Sequence, residues 1–215
     1  MNPLLYIKER MLTWKYSRVE AFREFFSPVN PKMPIEEVSF IVFDTETTGL
    51  DPRKDELISI GALKVERFQI RLSSAFHRFI RPSDLKRSSV EVHGITPEDL
   101  AERGEDEREV ISSFLEYVKG SVLVGFNVEF DRKMVSKYTL RHFGIPLLNY
   151  RVDVFFLGKR RWREGKGLKD MAKELGIYAG GIHSALDDAY ITALLFLSFV
   201  ARMKKEPLAS LPLVL

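Results

Sequence analysis

The stretch VSFIVFDTETTGL, Val38 to Leu50, decides the fold. Its first part, Val38 to Phe43, is an almost continuous apolar run with the length of a strand, and it ends abruptly at Asp44. A strand that is apolar at successive positions, rather than at alternate ones, is typical of the centre of a sheet with both faces covered. The sequence therefore predicts a central strand that opens at its carboxyl end onto a polar turn.

Strands and helices follow this run in an order that is typical of an α/β domain. The hydrophobic pattern predicts two further strands in a meander, at Leu57–Arg67 and Ser74–Ile80, and then a region in which helices alternate with strands. That region contains helices at 96–102, 106–119, 129–143, 168–175 and 184–204, with strands at 121–126 and 150–155. Strands first, then alternation, predict a five-stranded mixed sheet flanked by helices on both faces.

The chain has 215 residues, which suits one α/β domain with an appendage. Residues 1–36 are rich in aromatic side chains and predict one or two amphipathic helices followed by a proline-punctuated linker. Residues 37–204 form the predicted catalytic domain. Residues 205–215 form an apolar tail that would pack on the appendage or on a second copy of the chain.

Composition excludes several classes of chemistry. The chain has no cysteine, which rules out disulfides, thiol nucleophiles and cysteine-bound metals, so a metal ion would be held by oxygen or imidazole. The longest uncharged apolar run, Ala189–Ala201, is shorter than the roughly 20 residues that span a bilayer. We therefore expect no membrane partner and a cytoplasmic location. The net charge of +3 is compatible with a polyanionic partner.

Two acids end the central strand. Asp44 and Glu46 stand at positions i and i+2, whose side chains point to the same side of a strand. Two carboxylates at that spacing can share a divalent cation. In the alternative interpretation, Asp44 helps to form the turn and Glu46 is a solvated loop acid.

A third acid follows the strand at 121–126, in the segment GFNVEFD. Asp131 would lie in the first turns of the next helix and face the ends of the neighbouring strands, and Asn127 could cap that helix. The alternative is purely structural, because an acid near a helix amino terminus stabilises the helix dipole. Glu129 fits this solvated role better than Asp131 does.

The segment HSALDDAYIT, residues 183–192, combines a histidine with two acids. Asp187 and Asp188 lie about 100° apart on a helix, so only one of them can face a given site. The apolar residues around them make a buried carboxylate costly unless a cation compensates its charge. A lone His183 before a helix is usually a loop or cap residue, but its spacing of five residues from Asp188 favours a shared site.

These three segments resemble the three motifs of the DEDDh group of 3′-to-5′ exonucleases, which includes the proofreading epsilon subunit of bacterial DNA polymerase III, ribonuclease T and oligoribonuclease. The resemblance covers about residues 38–204 and implies a ribonuclease H-like fold. It implies that two divalent cations, Mg²⁺ or Mn²⁺, are bound by Asp44, Glu46, Asp131 and Asp188. It also implies that His183 is the general base.

The resemblance extends to residues that contact nucleic acid. It implies that Thr47, Thr48, Gly49 and Leu50 hold the last sugar and base, and that His93 in the segment VHGIT contacts the terminal nucleotide. Further nucleotide contacts are expected at Asn127 and Phe130. One departure is Phe126, where many relatives carry histidine.

A basic loop, GKRRWREGKG at 158–167, adds Arg161 and Trp162 as candidates for gripping the phosphate backbone and stacking on a base. A charge run of this kind is more often a solvated loop.

The function predicted is hydrolysis from the 3′ end of single-stranded or frayed DNA, with release of 5′-mononucleotides and a possible DNA polymerase subunit as partner. Two alternatives remain open. One is a 3′ exoribonuclease, because the motifs do not determine sugar preference. The other is a catalytically silent module that docks on a polymerase complex.

Overall fold

A six-stranded mixed sheet forms the centre of the computed structural model, which describes residues 3–82, 90, 94–159, 166–178 and 184–215. The strands are β1 (Phe40–Thr47), β2 (Leu57–Glu66), β3 (Gln69–Ile80), β4 (Gly104–Glu105), β5 (Val122–Gly125) and β6 (Arg151–Asp153). Their order across the sheet is β4-β3-β2-β1-β5-β6. The pairs β1–β2 and β2–β3 are antiparallel, and the other pairs are parallel.

Eight α-helices are present in the described residues. They are α1 (Pro3–Tyr16), α2 (Glu20–Phe25), α3 (Pro97–Arg103), α4 (Glu107–Val118), α5 (Glu129–Phe143), α6 (Val154–Gly158), α7 (Leu168–Glu174) and α8 (Ala185–Val200). Short 3₁₀ helices occur at Ile35–Glu37 and Leu208–Ser210. Across the ranges given above, no helix is both long enough and apolar enough to cross a membrane.

The central position of β1 follows from its double-sided burial, as predicted. Ile41 and Phe43 face a core layer beneath α4, where Phe43 packs against Phe114 at 5.7 Å between ring centroids. Phe40 and Val42 face the opposite layer beneath α8, and Phe40 meets Phe196 at 4.9 Å. Both faces of the strand are therefore covered by helices.

The prediction of five strands was wrong by one. The extra strand, β4, contains only Gly104 and Glu105 and pairs with the end of β3, so it is too short to leave a periodic pattern in the sequence. The strand predicted at 150–155 was too long. It ends at Asp153 because this side chain accepts a hydrogen bond from the backbone N–H of Phe155, at 2.9 Å, and caps α6. The last long helix also ends earlier than predicted, at Val200.

The linker and the tail pack against each other, and the tail runs on beside the edge strand β6. The linker pairs with the tail through hydrogen bonds from Ile35 N to Glu206 O, at 2.9 Å, and from Leu208 N to Met33 O, at 2.8 Å. The tail then continues beside β6, where Arg151 and Val214 form a bridge. Leu208, Leu211 and Leu215 of the tail are thus buried within this chain, whereas Val214 stays exposed.

Candidate active site

Asp44 and Glu46 project from the same face of β1, as their spacing predicts. Across the antiparallel pair, Asp44 lies opposite Gly61 and Glu46 lies opposite Ser59. Glu46 is buried. Part of the Asp44 surface stays accessible to solvent, but protein atoms surround its carboxylate closely. The strand bulges directly after Glu46, which ends regular pairing and begins the turn.

Gly61 allows α8 to rest directly on the sheet beside these acids. A Cβ at this position would lie 2.2 Å from the backbone nitrogen of Leu186 and 2.3 Å from the carbonyl carbon of Ala185. Only glycine permits such an approach of helix backbone to strand backbone. The same first turn of α8 contains Asp188, whose N–H donates to Ser184 O at 2.9 Å. Gly61 therefore sets how closely Asp188 can approach β1.

The two adjacent acids of α8 are divided between different neighbours. Asp188 acts electrostatically on Asp44 and Glu46. Asp187 instead acts on His77, which pairs with Gly61 on the β3 side. This division agrees with the expectation that only one of the two acids faces the cluster.

The third element of the site is α5, which supplies Asp131. Thr45, on the opposite face of β1 from its two acidic neighbours, donates its hydroxyl to Asp131 Oδ1 at 2.6 Å, and both residues are buried. Asn127 does not cap this helix. It has a left-handed φ of 56°, its backbone N–H donates to Asp153 Oδ1 at 3.0 Å, and the capping position is occupied by Val128 without a side-chain bond.

The structure thus brings Asp44, Glu46, Asp131 and Asp188 into one interacting group, here called the carboxylate cluster. Burial raises the pKa of Asp44 well above its ordinary value, and repulsion from Asp131, Glu46 and Asp188 raises it further. Burial, followed by repulsion from Asp188 and Asp131, raises the pKa of Glu46 to about 7. Each shift shows that negative charge is costly in this place without a compensating cation.

Asp131 has a raised pKa as well, with opposing contributions. Burial is the largest cause, and Asp153 adds repulsion. The hydrogen bond from Thr45 works in the other direction, because it stabilises the ionised form. The Thr45 hydroxyl therefore favours the ionised form of this carboxylate against the effect of burial.

Glu129, in the same turn of α5, behaves differently from the cluster. Burial would raise its pKa, but a hydrogen bond from Arg132 and the charges of Arg151, Arg132 and Lys133 outweigh this and lower it to about 2. Arg151 Nη2 lies 2.7 Å from Glu129 Oε2. Glu129 is consequently ion-paired with Arg132 and Arg151.

The members of the carboxylate cluster interact through their charges without being arranged as a closed cage. Among the residues that the structure describes, no three acidic or histidine side chains already form a group that could hold a metal ion.

The turn at 47–50 is built around Asp55, a buried acid that the sequence motifs did not single out. Thr48 is buried and paired with Glu56, donating its N–H to Glu56 O at 2.9 Å and accepting from Glu56 N at 2.8 Å on its hydroxyl. A Cβ on Gly49 would lie 2.5 Å from Asp55 Oδ2. This packing leaves Leu50 at the tip of the turn, 85% exposed.

The other predicted contacts vary in accessibility. Thr47 donates its hydroxyl to Gly49 O at 2.7 Å. Asn127 is exposed at the end of β5, and Phe130 is half-buried against the core. His93, Arg161, Trp162 and His183 lie outside the described residues.

One protein family matches most of the chain. Residues 41–196 match the RNase_T family model, which is described as an exonuclease. The chain belongs to this exonuclease family. The matched range contains all four members of the carboxylate cluster, and α1 and α2 precede it.

Curated relatives of this exonuclease-family chain include much longer polymerases. The PolC-type DNA polymerase III of Thermotoga petrophila is 37% identical over 172 residues, covering 79% of this chain and 12% of the polymerase. The corresponding protein of Staphylococcus haemolyticus is 33% identical over 175 residues, covering 80% and 12%. The chain therefore spans about an eighth of the length of these relatives.

Solved structures confirm the fold. E. coli Exonuclease I in complex with a dA16 oligonucleotide superposes with a TM-score of 0.67 at 22% identity, covering 81% of this chain and 42% of that one. The predicted ribonuclease H-like α/β fold is confirmed, apart from the sixth strand.

Proposed function

We propose that this chain is a metal-dependent exonuclease that removes 5′-mononucleotides from the 3′ end of single-stranded or frayed DNA. The observation that carries the proposal is the carboxylate cluster itself. Its four acids come from β1, α5 and α8, and the pKa values of Asp44, Glu46 and Asp131 are all raised. Burial of mutually repelling acids destabilises a protein, so their convergence is typical of a functional site.

The cluster has suitable chemistry for divalent cations. Its potential ligands are carboxylate oxygens, which Mg²⁺ and Mn²⁺ prefer, and the chain has no cysteine to favour a softer metal. A cation would also offset the repulsion that raises the pKa values. We propose that Asp44, Glu46, Asp131 and Asp188 together hold two such ions.

When bound, the cations would supply positive charge that polarises the attacking water and offsets charge on the phosphate. The residues of the chain perform the remaining tasks. His183, placed five residues before Asp188, takes a proton from the water as general base. Thr45 orients Asp131 and favours its ionised form through a 2.6 Å hydrogen bond. Gly61 holds α8 close enough for Asp188 to join the cluster.

Single-stranded DNA is the substrate that the comparisons favour. The structural relative quoted above was solved with a dA16 oligonucleotide, and the curated relatives are DNA polymerases. Leu50, four residues after Glu46 in the chain, is exposed and available to contact a terminal base. We propose further nucleotide contacts at Thr47, Thr48, Gly49, His93, Asn127 and Phe130. Arg161 and Trp162 are proposed to contact the DNA further from its 3′ end.

The test uses purified protein, Mn²⁺ and matched DNA and RNA oligonucleotides labelled at the 5′ end. The proposal predicts a ladder of shortened DNA products, release of mononucleotide when the label is at the 3′ end, and inhibition by EDTA. Asp188→Asn should abolish the ladder, whereas Asp187→Asn, an adjacent acid outside the cluster, should preserve it. A ladder only on RNA would assign an exoribonuclease, and no ladder on either strand would assign a silent docking module.

A further inference from the structure

An open groove lies between α1 and α2, away from the residues used so far. It encloses about 570 Å³. Its main lining residues are Tyr6, Arg10, Trp14, Phe22, Arg23 and Phe26. The rings of Phe22 and Phe26 stack at 4.6 Å, and Arg10 Nη1 donates to the Tyr6 hydroxyl at 3.2 Å. The groove, called here the α1–α2 groove, therefore has aromatic walls and guanidinium groups beside them.

The outer side of α1 extends this surface. Leu4, Ile7, Met11 and Trp14 follow a 3-4-3 spacing, which places them along one stripe of the helix. All four are more than half exposed, and Trp14 reaches 84%. An apolar stripe that points away from the core is typical of a surface that contacts another molecule.

The α1–α2 groove lies at the end of the molecule opposite the carboxylate cluster. Glu9 in α1 accepts a hydrogen bond from the Tyr150 hydroxyl at 2.6 Å, just before β6 begins. Phe25 in α2 packs edge-on against Phe143, the last residue of α5, at 5.6 Å. Asp131 lies at the beginning of α5, which is roughly 20 Å long at 1.5 Å per residue.

This separation argues against a substrate strand as the occupant. A strand with its end in the carboxylate cluster would have to cross the whole length of the domain to reach the groove. A partner bound in the groove would instead leave the carboxylate cluster open. The helices also precede the residues that match the exonuclease family, so the groove is a feature added to that domain.

The charges of the groove specify the chemistry of its occupant. Its charged lining residues are Arg10, Arg23 and Glu9, and Glu9 is already hydrogen-bonded to Tyr150. Arg10 and Arg23 are exposed, which leaves a basic rim above aromatic walls. Two copies facing each other through this surface would place like charges together, because a symmetric dimer apposes identical patches.

We propose that the α1–α2 groove is a docking site for an acidic segment of another protein that inserts an aromatic or large aliphatic side chain between Trp14, Phe22 and Phe26. Carboxylates of the segment pair with Arg10 and Arg23, and its apolar face continues along the stripe of α1. Docking at this end tethers the enzyme to a partner without obstructing the cluster.

The test measures fluorescence anisotropy of a labelled peptide in which aspartates precede a carboxyl-terminal leucine-phenylalanine pair. Saturable binding is expected with this peptide, and not with versions in which lysine replaces aspartate or alanine replaces the final phenylalanine. The double variant Arg10→Glu, Arg23→Glu should weaken binding about tenfold, and Trp14→Ala should weaken it similarly. Activity on single-stranded DNA should be unchanged in all these variants.

Matched controls alter exposed residues elsewhere on the surface. The double variant Arg202→Glu, Lys205→Glu and the variant Leu72→Ala should bind the peptide as the unaltered chain does. Absence of saturable binding to the acidic peptide would overturn the proposal. It would also be overturned by a labelled oligothymidylate whose binding is lost in the groove variants, or by a concentration-dependent dimer that Trp14→Ala dissociates.

Discussion

Replacing Thr45 with valine tests whether the residue between the two strand acids tunes the site. The substitution preserves shape but removes the hydroxyl that donates to Asp131 Oδ1 at 2.6 Å, between two buried residues. Hydrogen bonds to ionised groups contribute about 1.5–3 kcal/mol, and a buried carboxylate left without its donor loses that amount. Because the bond lowers the pKa of Asp131, its loss raises that pKa and weakens cation binding roughly ten- to a hundredfold.

The assay is the rate of 3′-end trimming of single-stranded DNA as a function of Mn²⁺ concentration at several pH values. Thr45→Val should require roughly ten- to a hundredfold more Mn²⁺ for half-maximal rate. The acid limb of its pH–rate profile should move to higher pH. Thr45→Ser, which keeps the hydroxyl, should stay within about threefold of the unaltered chain. Unchanged Mn²⁺ dependence in Thr45→Val, at unchanged stability, would refute the reasoning.

Three further predictions concern the same site. Gly61→Ala should displace α8 and slow the reaction roughly a hundredfold, as a shift of about 1 Å in a catalytic group can do. The control is Gly104→Ala, whose Cβ would lie 2.3 Å from Leu100 O. Both variants should lower the thermal midpoint by similar amounts, but Gly104→Ala should keep the rate within about threefold. Asp188→Asn should reduce activity at least about a hundredfold and Asp187→Asn less than about threefold, and equal effects in steady-state assays would contradict the division of these acids. The pKa of Glu46 rises from 4.5 to about 7 on folding, so its contribution to stability is complete below about pH 4.5 and is lost as pH rises through 7. In EDTA the free energy of unfolding should therefore fall by about 3 kcal/mol, which corresponds to roughly 6–12 °C in the thermal midpoint between about pH 5 and 8. Glu46→Gln should flatten this dependence of the thermal midpoint on pH in scanning calorimetry.

Much of the fold could be predicted because the decisive signals are local. The apolar run before Asp44 predicted the central strand, and the i, i+2 spacing of Asp44 and Glu46 predicted their shared face. The 100° rotation per helical residue predicted that Asp187 and Asp188 would have different neighbours, as the structure shows. These features depend on periodicity, which a single sequence carries.

The missed features depend on contacts between distant segments. Gly61 looks like an ordinary glycine in a strand, and its role appears only where α8 reaches the same spot more than a hundred residues later. Thr45 is hidden for the same reason, because its partner Asp131 is on a helix that follows six further elements among the described residues. Asp55 resembles a loop acid until the turn at Gly49 folds over it. A glycine in the interior of a strand is the local signal that could have indicated close approach of another backbone.

Direct measurement of Mn²⁺ binding by calorimetry tests the central claim, that acids from β1, α5 and α8 converge to bind divalent ions. The unaltered chain should bind two ions, and single replacement of Asp44 or Asp188 by asparagine should eliminate at least one while the protein stays folded by circular dichroism. Unchanged stoichiometry and affinity in both variants, or no saturable binding to the unaltered chain, would contradict the account.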